Sequence, residues 1–241
     1  MLTDSQLAAL DRDGFVAPLT FCPPGQMAGL RAAVEAAIAT PGPCHGDPWT
    51  ARHQDSAAVL GLCAGPAVCA AVAQVLGPEL VIWNSVLMNK APGDGEIPWH
   101  QDHDYEYLSP DVGLAVWLAV DDAAADNGCL EVIPGSHRAL LPFTARSRTG
   151  EFDSRVGDDQ VAGRETVQVR LKAGEFLLFR NKILHRSAPN RSGRRRLGLA
   201  VRYTVPGVTV NAARFFDGYR PVPAGAGRPD PAGPDPSGTG G

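Results

Sequence analysis

The stretch Glu165-Thr166-Val167-Gln168-Val169-Arg170-Leu171 alternates apolar with polar side chains. That period of two marks a strand with one face in a core and the other in water. Lys172-Ala173-Gly174 punctuates the chain, and a second β-like run follows at 175–179. Outward from this pair, short runs bounded by Gly, Pro, Asn and Asp recur at 80–89, 113–120, 129–133 and 197–205. Upstream of residue 78 the period is helical. Thr3-x-x-Gln6 has the spacing of a capping box for a short helix that ends near Asp13-Gly14. Met27, Leu30, Val34 and Ile38 put one apolar face on a helix over 24–40, and Gly77-Pro78 stops another over 66–76. Helices followed by many short strands predict a mainly β fold, a jelly roll with N-terminal helices packed on its outside.

The rest of the chain sets the bounds. With 241 residues and 44% apolar side chains, one domain over 1–220 is the expectation. The tail 221–241 is mostly Pro, Gly, Ala and Asp and is expected to be disordered. The segment 146–164 is charged and poor in apolar residues, and reads either as a solvated excursion between strands or as a lid. A net charge of −4 argues against nucleic acid and anionic membranes as partners. No apolar run reaches membrane-spanning length, and the first residues lack a secretory pattern. The five cysteines are odd in number and form no CxxC pair, which fits a reduced, cytoplasmic location. Oligomeric state has no signature.

The chemistry is concentrated in Trp99-His100-Gln101-Asp102 and in His185. Residues i and i+2 of a strand share a face, so His100 and Asp102 can reach one metal while Gln101 points away. Two imidazoles and one carboxylate form the facial set that binds Fe(II) and leaves positions open. A structural zinc site would want a fourth protein ligand, often Cys, and none lies near either half. His103 and Asp104 are the nearest competitors, and Asp104 is the base that a metal-dependent hydrolase would need.

The surrounding motifs resemble the phytanoyl-CoA dioxygenase family of Fe(II)/2-oxoglutarate oxygenases. They are Asn89-Lys90-Ala91-Pro92, Pro98-Trp99-His100-Gln101-Asp102, Asp126-Asn127-Gly128-Cys129-Leu130, Ile133-Pro134-Gly135-Ser136-His137, Ala173-Gly174-Glu175-Phe176-Leu177-Leu178-Phe179, and His185-x-Ser187-x-x-Asn190-x-Ser192. The resemblance spans about residues 10–205. It implies a double-stranded β-helix (cupin-like), iron held by His100, Asp102 and His185, and 2-oxoglutarate and O2 as co-substrates. It also places the anchoring arginine eleven residues after the distal His, at Arg196, with Ser187 as a hydroxyl donor to the same carboxylate and Trp117 lining the pocket. Strand parity supports Arg196 independently: Arg196, Gly198, Ala200 and Arg202 share one face, opposite Leu197, Leu199, Val201 and Tyr203. The small residues Gly198 and Ala200 beside Arg196 are expected to leave room for a small diacid. Arg195 falls on the wrong face and Arg194 in the preceding turn. Gln101 is expected to orient a ligand from behind, and Asn89 and Lys90 lie close to the co-substrate. Because Asp102 is present, the resemblance implies hydroxylation or another oxidation rather than halogenation. The substrate is expected to be a small molecule, as in bacterial secondary-metabolite tailoring, contacted by 41–55, 103–109 and 146–164. A non-catalytic metal- or acid-binding module of the same shell is the alternative; it predicts a broken triad or a missing anchor.

Overall fold

The computed structural model describes residues 1–102, 106–145, 155–211 and 215–225. Four helices precede most of the strands: α1 (Asp4–Asp13), α2 (Pro24–Ile38), α3 (Ala57–Cys63) and α4 (Pro66–Leu76), with strand β1 (Phe15–Thr20) between the first two. The α1 capping box is present, with Thr3 Oγ1 accepting from the Gln6 backbone and Gln6 Oε1 from the Thr3 backbone. Then come β2 (Glu79–Lys90), β3 (Ile97–His100), β4 (Leu108–Ser109), β5 (Leu114–Ala119), β6 (Leu130–Val132), β7 (Phe143–Ala145) and β8 (Arg155–Val156). After the short α5 (Asp158–Val161) follow β9 (Val167–Val169), β10 (Glu175–Phe179), β11 (His185–Ser187), β12 (Arg196–Thr204), β13 (Thr209–Val210) and β14 (Val222–Gly225).

The strands form a six-stranded sheet in the order β1-β10-β5-β12-β2-β14 and a four-stranded sheet in the order β3-β11-β6-β9. Every pairing within them is antiparallel, and the two sheets face each other as a double-stranded β-helix. β5 shows why the sequence folds this way. All six of its residues are buried, yet Leu114, Val116 and Leu118 join the helices on the outer face, while Ala115, Trp117 and Ala119 face the other sheet. The outer core takes Met27 and Val34 from α2, Leu62 from α3 and Val68 and Val72 from α4. Those buried faces account for the apolar composition of α3 and α4; no single helix among the described residues is long and apolar enough to cross a membrane.

Two expectations change, and three elements were not foreseen. The tail does not lose order at residue 221, because Val222–Gly225 pairs with Glu79–Ile82 as the outermost strand of the large sheet. Pro221 and Pro223 made the segment look structureless, but an edge strand tolerates proline because one side of it needs no donor. Residues 226–241 lie outside the described residues. In the segment 146–164, residues 155–164 lie on the outer side of the small sheet: Val156 is buried, and both it and Val161 pack with Trp99, Ile133 and Leu184. Its remaining residues, 146–154, lie outside the described residues. Finally, β1, β3 and α3 had no strong periodic signal, being short or interrupted by proline.

Candidate metal centre and co-substrate cavity

β3 and β11 are paired so that His100 and His185 are direct partners across the small sheet. Their rings lie 4.2 Å apart, centroid to centroid. Asp102 follows two residues after His100, and one ligand atom from each of the three residues lies within 4.8 Å of the others. This spacing lets one metal ion touch all three. Each imidazole is oriented from behind: His100 Nδ1 is 2.8 Å from the Pro98 carbonyl and His185 Nδ1 is 3.0 Å from that of Ile183. A carbonyl only accepts, so both Nδ1 atoms carry the proton and both Nε2 atoms present a lone pair. Burial, with His185 beside it, pushes the His100 pKa down to about 3, which keeps that ring neutral.

Asp102 is held by a residue that the sequence reading placed on the right face but gave no role. Arg202 Nη2 is 2.8 Å from Asp102 Oδ2, and the two side chains are 17% and 10% exposed. Burial opposes ionisation of this carboxyl group, but the Arg202 guanidinium and the two imidazoles outweigh it and hold the pKa down at about 2. Gln101 turns away from the cavity. Its Nε2 donates to the carbonyls of Ala139 and Lys182 at 2.9 and 2.6 Å, and its Oε1 accepts from the Leu141 amide. It is therefore a brace for the ligand loop rather than a group that touches a cofactor. His103, Asp104 and Tyr105 lie outside the described residues.

A cavity of about 180 Å³ leads from the triad into the barrel. Its far end is built around Arg196, which is 1% exposed. Among the described residues, Arg196 Nε and Nη2 have no hydrogen-bond partner, and neither has the buried hydroxyl of Ser187. All three line or adjoin the same cavity, since Arg196, Ser187 and Trp117 are among its walls. A buried cation without a counter-charge is costly. Burial accordingly draws the Arg196 pKa down to about 10. The donor set fits an anionic ligand with a carboxylate, and 2-oxoglutarate is such a ligand. The guanidinium lies 5.3 Å from the Trp117 ring centroid, a cation–π contact.

Gly198 has a different function from the one expected. A Cβ there would meet Trp117 Cζ2 at 2.0 Å, so its missing side chain makes room for the indole, not for the ligand. Ala200, the other small residue expected there, does line the cavity, with Met88 and Val86. Lys90, in register with Arg196, is not at hand for a ligand either. Its ammonium donates to the carbonyls of Gly95, Ser187 and Ala188 at 2.8, 3.3 and 2.8 Å, and burial beside Arg196 lowers its pKa to about 8. Asn89 is exposed. Arg194 and Arg195 face outward as expected: Arg194 pairs with Asp126, and Arg195 ties Glu35 of α2 to Asp121. Of the segments expected to meet a substrate, Tyr107 joins Trp83, Phe215 and Tyr219 in an aromatic cluster. The 41–55 loop reaches the same strand, with Thr50 bridging to Val86.

Fold and site define a double-stranded β-helix protein with a two-histidine, one-carboxylate metal centre. The chain belongs to the phytanoyl-CoA dioxygenase (PhyH) family, whose model matches residues 10–198. It is 29% identical over 136 residues to dioxygenase lolE1 of Epichloe uncinata, covering 56% of this chain and 50% of that protein. It is 35% identical over 161 residues to L-proline trans-4-hydroxylase of Streptomyces griseoviridis, covering 57% and 59%. The chain thus spans about half the length of the curated relatives it matches. Among solved structures, the non-heme alpha-ketoglutarate-dependent carbocyclase SnoK from nogalamycin biosynthesis superposes with a TM-score of 0.73 at 17% identity, covering 92% of this chain and 96% of that one. That likeness is one of fold.

Proposed function

We propose that this protein is an Fe(II)- and 2-oxoglutarate-dependent oxygenase that oxidises a C–H bond of a small molecule. The observation that carries the reading is the pairing of a complete His100–Asp102–His185 triad with a buried, unsatisfied Arg196 at the far end of one cavity. A binding module that merely borrowed the shell would have no reason to keep both. Bound iron and 2-oxoglutarate supply an oxidant made from O2, with succinate and CO2 as co-products.

The residues of the chain have separate tasks. His100 and His185 offer Nε2, each ring fixed through its Nδ1 proton, and Asp102 offers a carboxylate oxygen. Arg196 and Ser187 take the far carboxylate of 2-oxoglutarate, and Trp117 buttresses the guanidinium. Ala115, Ala200 and Phe179 keep the cavity walls apolar and limit water around the reacting centre. The substrate is read as a small molecule of secondary metabolism, a reading supported by the likeness to an L-proline hydroxylase, which acts on a small molecule, and to a carbocyclase of nogalamycin biosynthesis. The five free cysteines fit a reducing compartment, the cytoplasm.

Succinate formation tests the reading. The iron-loaded protein, given 2-oxoglutarate and air, is expected to release succinate slowly without substrate and faster when a screened small molecule fits. Asp102→Ala is expected to release none. Succinate at the level of the no-protein control, from protein shown to hold iron, would overturn the proposal.

A further inference from the structure

We infer that Arg202 is a positioning residue that limits Asp102 to one ligand atom and so fixes the number of open positions on the metal. The inference rests on the metal-site reading above and deepens it. A carboxylate beside a metal can bind through one oxygen or chelate through both. Here Oδ2 is already engaged by Arg202 Nη2 at 2.8 Å. That contact draws charge from Oδ2 and makes Oδ1 the better ligand atom.

Arg202 is well built for this. It sits on the inner face of β12, and its guanidinium crosses the barrel from the large sheet to the loop that follows β3 of the small one. Its strand neighbours are Ala115 on β5 and Asn84 on β2, so its stem passes no bulky partner on those strands. At 17% and 10% exposure, the pair is mostly shielded from competing water. A planar fork holds a carboxylate oxygen in a fixed direction better than a point charge does.

The consequence is a count. Three single-atom protein ligands leave three positions of a six-coordinate metal, and a chelating Asp102 would leave two. A 2-oxo acid occupies two, so the third is what O2 requires.

Mn(II) and water-proton relaxation read this number without turnover. The wild-type protein loaded with Mn(II) is expected to show the relaxivity of about three exchangeable waters, and Arg202→Gln that of about two, a fall of about one third in the inner-sphere contribution. Arg202→Met, whose apolar stem suits the packing, serves if the glutamine variant does not fold. Arg202→Lys keeps a cation on Oδ2 and is expected at the wild-type value. Wild-type relaxivity in a folded neutral variant would overturn the inference. So would loss of Mn(II) binding in that variant, since Arg202 would then be needed to retain metal rather than to shape its site. A folded lysine variant at the two-water value would also overturn it. Absence of any relaxation enhancement in the wild type would instead sink the metal-site reading, a separate result.

Discussion

Asp102 carries two burdens, and its replacement separates them. It is a ligand, so Asp102→Ala is expected to abolish tight metal binding. It is also the counter-ion of Arg202, so the same change breaks a mostly buried ion pair and is expected to destabilise the metal-free protein by about 3–5 kcal/mol. His185→Ala removes a ligand without stranding a charge. Chemical denaturation of both metal-free variants checks this; equal stability would mean that the ion pair contributes nothing. Arg196 is the opposite case, a buried charge that awaits a partner. Arg196→Ala removes a charge-assisted contact of roughly 1.5–3 kcal/mol, so the 2-oxoglutarate requirement should rise by about 10- to 100-fold. Titration with 2-oxoglutarate measures it.

At the scale of the element, β12 shows what the sequence does and does not reveal. Its alternation was legible, and with it the inward face of Arg196 and Arg202. The partner of Arg202 was not, because Asp102 is 100 residues away and only closure of the barrel brings them together. Gly198 was misread for a related reason: parity says which way a residue faces, not which neighbour leans into the gap. Gly198→Ala should collide with Trp117 and displace the indole from beneath Arg196. A loss of about 1–3 kcal/mol and weaker 2-oxoglutarate binding are expected. A fully stable variant with unchanged 2-oxoglutarate affinity would show that the indole has room to retreat. Lys90 was legible as a neighbour of the co-substrate but not as a brace, since two of its three acceptors, the Ser187 and Ala188 carbonyls at the end of β11, are almost 100 residues away.

At the scale of the whole molecule, the barrel was legible because both of its cores are written in strand alternation. The edge strand β14 was not, because Pro221 before it and Pro223 within it are compatible with an edge but predict nothing. The junction of the 51–55 turn, β2 and the C-terminal segment depends on His53. This ring is 1% exposed, with Nδ1 2.6 Å from Ser85 Oγ and Nε2 3.0 Å from Gln54 Nε2, which also donates to the Arg220 carbonyl. An amide nitrogen can only donate, so His53 accepts at Nε2 and is neutral. Burial lowers its pKa to about 4 despite Asp55 nearby. The unfolded chain, with an ordinary value near 6.5, then binds the proton that the folded chain refuses, and stability falls as pH drops from about 6.5 to about 4. Between pH 7 and pH 5 this amounts to about 2 kcal/mol. Denaturation of the metal-free protein at both pH values should show that loss in the wild type and a smaller one in His53→Gln; parallel losses would remove His53 as the cause.

The central claim is that one cavity holds iron at the His100–Asp102–His185 end and 2-oxoglutarate along its length to Arg196. Anaerobic addition of Fe(II) and then 2-oxoglutarate to the metal-free protein tests it most directly. A weak visible charge-transfer band should appear in the wild type, and Arg196→Ala should need far more 2-oxoglutarate to reach it. No band from protein that demonstrably binds iron, or an identical titration in the variant, would contradict the account.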